Sequence, residues 1–180
     1  MKKLIVLLLT CLALSAPAQL KEWSYDTGYS YSKWDLINLK SKKDARQVGI
    51  MSALMFTSGA ARGIEQTIVF HYDNFRHRHP NANQNYWNPR YSWTNKYKHH
   101  NPDAGPKFLF STTGLVWITD GKHLMDMLNN VPIYVCITIP IGSPTFKRHT
   151  PANIIGRIVM LSLYRQAGFY ATYNIFYSGY

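Results

Sequence analysis

The chain has 180 residues, with 20 Lys and Arg against 9 Asp and Glu, for a formal charge of +11. Only 16% of residues are charged, where a globular domain carries roughly a quarter, while 46% are apolar and 13 Tyr, 8 Phe and 5 Trp supply an abundance of rings. These figures exclude a wholly disordered chain and the collagen-like, coiled-coil and disulfide-scaffold classes, and no internal repeat points to a solenoid.

Lys2 and Lys3 precede an apolar run from Leu4 to Leu14, and Ala16-Pro17-Ala18 has the small-x-small form of a signal-peptidase site. The sequence therefore predicts export, with residues 1–18 as signal peptide and 19–180 as a single domain. Cleavage there leaves 162 residues and, with two lysines gone from +11, a formal charge of +9. Lipoprotein processing before Cys11 would leave too short an apolar region. Cys136 then stands alone in the apolar stretch from Val131 to Ile141 and reads as a small buried hydrophobe rather than a nucleophile.

Residues 19–43 form an aromatic arm carrying Trp23, Tyr25, Tyr29, Tyr31 and Trp34. Asp44 can cap the next element, and apolar or small residues at helical spacing predict a helix over 44–76. Within it, Gly59 and Gly63 form a G-x-x-x-G that would let another helix approach closely, including one from a second copy of the chain. Residues 80–107 hold six asparagines and the rings of Tyr86, Trp87, Tyr91, Trp93 and Tyr97; so many rings predict a packed loop or small subdomain rather than disorder. A second helix is expected from Phe108 to Asn130, then a β-branched run bracketed by Pro132 and Pro140, then an apolar stretch from Asn153 to Tyr180. In that last stretch Phe169, Tyr173, Phe176 or Tyr177, and Tyr180 fall on one helical stripe, whereas the alternation an outer-membrane barrel strand requires puts the terminal ring on the wrong face.

The expected fold is mainly α, helical and membrane-associated, with the aromatic, Asn-rich segment between the first two helices. Three apolar runs, 108–118, 131–141 and 154–164, are each half the length of an obvious spanning helix. Low charge, basic flanks and rings with a polar edge favour contact with the headgroup layer.

Two sets of residues are candidates for chemistry. Arg76, Arg78, Trp87, Tyr91, Trp93, Lys96 and Tyr97 combine cations and rings as a binding surface for membrane lipid or anionic envelope glycan; the adjoining His77, His79, His99 and His100 would add charge as pH falls. Such a surface also suits single-stranded nucleic acid, but export argues against that partner. Asn81, Asn83 and Asn85 mimic the alternation of a calcium loop without its acidic ligands. The alternative is a metal-dependent hydrolytic or lipid-modifying enzyme. Asp120 and His123 are i and i+3 on a predicted helix, and with Glu65 and His71 they could make a carboxylate and imidazole site between two helices. The blander account pairs Glu65 with Arg62. No metal or cofactor can be named, since no H-E-x-x-H, nucleophile elbow or phosphate-cradling glycine loop occurs.

Tyr86-Trp87-Asn88-Pro89, Ser92-Trp93-Thr94-Asn95-Lys96-Tyr97, Ser111-Thr112-Thr113-Gly114-Leu115-Val116 and Thr119-Asp120-Gly121-Lys122-His123-Leu124 occur in that order. Over about residues 59–124 the chain thereby resembles an uncharacterised family of small hydrophobic proteins of Bacteroidota and their phages. The resemblance implies that these elements form one structural unit and carries no activity with it.

Overall fold

A computed structural model describes residues 42–141 and 151–177. The signal peptide expected over residues 1–18, nearly all of the aromatic arm and the terminal Tyr180 lie outside the described residues. The fold is mainly helical, and no strand occurs among the described residues.

Helix α1, Lys42–Phe70, runs for 29 residues. It is buried on more than one side: Val48, Met51, Phe56, Ala61 and Ile68 are core residues, and so are the small or polar Ser52, Ser58 and Thr67. A single apolar stripe covers one neighbour, whereas α1 has two, and this demands small residues as well as large ones. His71 interrupts the helix with φ −137° and ψ 43°, and a short helix α2 follows at Tyr72–Arg78. The expected helix over 44–76 is thus present, in two pieces.

Residues 80–120 are compact turns rather than an open loop. Two one-turn helices, α3 at Gln84–Trp87 and α4 at Pro89–Ser92, are each started by an asparagine, whose side-chain oxygen accepts from the backbone two residues on: Asn83 from Asn85 N at 3.0 Å and Asn88 from Arg90 N at 3.1 Å. Asn101 does the same for Asp103 N at 3.0 Å. The asparagines therefore serve as caps, and Asn88-Pro89 and Asn101-Pro102 are two uses of one device, a capping side chain followed by a proline with no N–H to satisfy.

The helix expected from Phe108 starts later. Residues 108–120 make tight turns with a short 3₁₀ segment at Val116–Ile118, and helix α5 spans Gly121–Ile141. Pro132 and Pro140, read as brackets of a β-branched run, lie inside that helix. Helical packing against α1 overrides both β propensity and the proline penalty: Pro132 and Cys136 are buried, and the Cys136 thiol lies 3.6 Å from Met51 O. Burial pushes the Cys136 thiol pKa up, as befits an inert core cysteine.

Helix α6, Pro151–Phe169, continues as a π-helix over Tyr170–Tyr177. Both α5 and α6 pack along α1 and touch each other little. The close approach expected of Gly59 and Gly63 is made within the chain. A Cβ on Gly59 would lie 1.8 Å from Arg165 O, and one on Gly63 2.0 Å from Thr172 Oγ1. That face is taken by α6 and its π-helical extension, so it is closed to a second copy. Polar groups stitch the three helices together: Ser58 Oγ donates to Asn129 O at 2.7 Å, and Arg165 donates to Asn129 Oδ1 at 3.0 Å and to Ser58 Oγ at 3.3 Å. Among the described residues no helix is long and apolar enough to cross a membrane.

Candidate functional site

Phe75, the one buried residue of α2, organises the first part of the site. Its ring lies against those of Tyr72, His79, Trp87 and Tyr177, with centroids between 4.9 and 5.9 Å away. Asn74 Nδ2 donates to Tyr177 O at 2.7 Å, and His79 Nε2 lies 3.0 Å from the Tyr177 hydroxyl. Burial raises the Tyr177 pKa, with Arg78 opposing it, and burial together with the Arg78 guanidinium lowers that of His79. These groups border an open hollow of about 480 Å³ with Phe75, Trp87 and Tyr177 as aromatic walls and Arg78, His79 and Asn81 as its polar lining.

The candidate recognition residues divide sharply. Trp87 is a structural ring. It packs on Phe75, meets Tyr86 edge-on at 5.2 Å, and lies so close to Gly121 that a Cβ there would come within 2.4 Å of the indole. Tyr91 and Trp93 instead point outward, 57% and 51% exposed, on either side of the buried Ser92. Lys96 Nζ sits 5.5 Å from the Tyr97 ring centroid, in cation–π range.

The frame beneath them is closed by hydrogen bonds. Asn95 Nδ2 donates to Thr119 O at 2.6 Å, Lys107 N to Lys96 O at 2.9 Å, and Lys98 N to Gly105 O at 3.0 Å. Segment 72–107 carries six Lys and Arg, namely Arg76, Arg78, Arg90, Lys96, Lys98 and Lys107, against Asp73 and Asp103. Among the described residues none of these six cations forms a salt bridge.

The residues of the alternative metal site are dispersed among separate partners. Glu65 is buried and closed off by Arg62, whose Nη1 lies 2.6 Å from its Oε2. His71 Nε2 lies 3.0 Å from the Tyr173 hydroxyl. Asp120 and His123 do meet: the buried carboxylate accepts from His123 N at 2.8 Å through Oδ1 and lies 2.6 Å from His123 Nδ1 through Oδ2. A carboxylate only accepts, so Nδ1 is the nitrogen that carries a proton in this contact. Among the described residues no three His, Cys, Asp or Glu form a group that could hold a metal ion.

Asp120 stands immediately before α5 and holds the backbone N–H of His123, which makes it the cap of that helix. Burial raises the Tyr86 pKa and the nearby Asp120 charge raises it further. Replacing Asp120 with Ala is expected to lower stability by about 1–2 kcal/mol. Asp120→Asn should cost less, because its amide oxygen can still accept from His123 N. Urea unfolding of the two variants distinguishes the cap from an incidental contact.

No family model, curated protein or solved structure matches this chain.

Proposed function

We propose that the chain is an exported, membrane-associated envelope protein with a binding role, and that the basic aromatic face of segment 76–107 engages membrane lipid headgroups or anionic envelope glycan. One observation carries this reading: outward-facing rings, and cations that have no carboxylate partner among the described residues, are displayed on a frame whose own polar groups are bonded. Cations already neutralised within a protein have little to offer an external anion, whereas these keep their long-range field. Tyr91 and Trp93 supply the amphipathic rings that suit a boundary between apolar and wet regions. Outward apolar side chains on α5, Val131, Tyr134 and Ile137, and on α6, Ile155, Val159 and Leu163, add to the case for membrane contact.

The enzyme alternative now rests on Asp120 and His123 alone. The pair is oriented as a general base would be, yet its capping role accounts for the same geometry, and Glu65 is committed to Arg62.

Sedimentation of the purified chain with phosphatidylglycerol vesicles, phosphatidylcholine vesicles and an anionic envelope glycan tests the binding reading. Arg90→Glu with Lys98→Glu is expected to weaken binding to the anionic partner by roughly an order of magnitude or more at low salt. Added salt should weaken the original chain in the same way. Binding that is indifferent to both changes would remove the electrostatic basis of the proposal.

A further inference from the structure

Immediately after the basic segment, the chain presents three consecutive apolar residues to solvent: Phe108, Leu109 and Phe110, at 37%, 76% and 59% exposure. An isolated exposed apolar residue is ordinary, but a contiguous apolar tip on a braced turn is not. Phe110 sits at φ 64°, the left-handed region that a bulky L-residue rarely adopts. The turn is held there from beneath. Ser111, fully buried, donates its hydroxyl to Lys96 O at 2.8 Å and accepts from Phe108 N at 3.4 Å. Phe110 O in turn accepts from Thr113 N at 3.1 Å and Leu115 N at 2.9 Å. Lys96 O also takes the Lys107 N–H, so one carbonyl anchors both the basic segment and the tip. Collapse of these side chains onto the protein would need that anchoring broken.

Lysines are the charged residues that adjoin the tip. Lys107 precedes it and the Lys96 carbonyl holds Ser111 beneath it, while the nearest acids in the sequence are Asp103 and the buried Asp120. Apolar side chains that enter an acyl layer, with lysines left at headgroup level, form the usual arrangement of an interfacial anchor. We infer that Phe108-Leu109-Phe110 is a membrane-inserting tip that enters an anionic lipid bilayer beside the basic face. The inference rests on the binding reading above and selects lipid over glycan as its partner.

The test uses the purified chain without residues 1–18, and so without Cys11, with Leu109→Ser and Phe110→Ser combined, together with Leu109→Cys carrying an environment-sensitive fluorophore; the buried Cys136 is shielded from labelling. With phosphatidylglycerol-containing vesicles the fluorophore should brighten and shift to the blue. The double serine variant should keep its circular dichroism and thermal transition while its vesicle affinity falls about tenfold or more. If the chain binds these vesicles but the double variant binds equally well and the fluorophore stays in water, the tip is not an anchor, although the binding role stands. Binding to glycan with none to vesicles likewise overturns the inference alone. Failure to bind either partner overturns the inference and the binding role together.

Discussion

Replacing Gly59 or Gly168 with alanine is expected to destabilise the protein by about 3 kcal/mol or more, enough to remove much of the stability of a domain this size. The Gly59 Cβ would lie 1.8 Å from Arg165 O, and the Gly168 Cβ 2.1 Å from Phe56 O. Both obstacles are backbone atoms, so no rotamer change relieves the clash and the two helices must separate. Gly63→Ala should be milder, because its nearest obstacle is the Thr172 hydroxyl at 2.0 Å, which can rotate away at the loss of its bond to Ala60 O. Gly114→Ala is the control: nothing lies within 4 Å, and a change within about 0.5 kcal/mol is expected. Chemical denaturation of the four variants measures the series. Equal effects at Gly59 and Gly114 would show that α1 and α6 do not meet as described.

Trp87→Ala and Trp93→Ala should separate scaffold from surface. Trp87 joins Phe75 to the start of α5, so its truncation opens a cavity between them and is expected to cost about 3 kcal/mol. Trp93, half of whose surface is in water, should cost less than about 1 kcal/mol and leave the fold intact. Thermal unfolding gives the stability difference, and vesicle or glycan sedimentation of Trp93→Ala then reports recognition without the confusion of unfolding. A large stability loss at Trp93 would make that ring part of the core and leave the recognition surface with Tyr91 alone.

The first helix and its extent were legible from spacing, because α1 carries a long run of apolar and small residues with Asp44 ahead of it. The start of α5 was misplaced by 13 residues. Its true signal is local, with Asp120 bonding the backbone of His123, but the apolar residues on either side of Ser111–Gly114 read as an earlier start and hide it. Of those apolar residues Phe108, Leu109, Phe110 and Ile118 face outward from turns while Leu115, Val116 and Trp117 are half-buried, and composition does not distinguish an outward ring from a buried one.

The same ambiguity put Trp87 beside Trp93 as a recognition residue. The alternation around Ser92 shows the outward rings only once the backbone path is known. Gly59 and Gly63 were correctly read as a place of close approach, but spacing alone does not say whether the visitor is another molecule or the chain's own C-terminal part. Of the residues considered for a metal, Asp120 and His123 come together as their spacing suggests, while Glu65 has a nearer cation in Arg62.

The central place of α1 also sets an order of assembly. Its two covering helices follow it in the chain, and its contacts with the C-terminal part span great sequence separation: Thr172 reaches Ala60 O across 112 residues. A polypeptide emerging from the ribosome therefore completes α1 long before the segment that seats Gly59, Gly63 and Ser58 exists. Until that segment arrives, the small-residue face and its buried polar groups have only water, or a holding factor, for company. Closure of the loop between distant partners comes late and slowly, which gives any machinery that needs an unfinished chain an interval in which to act.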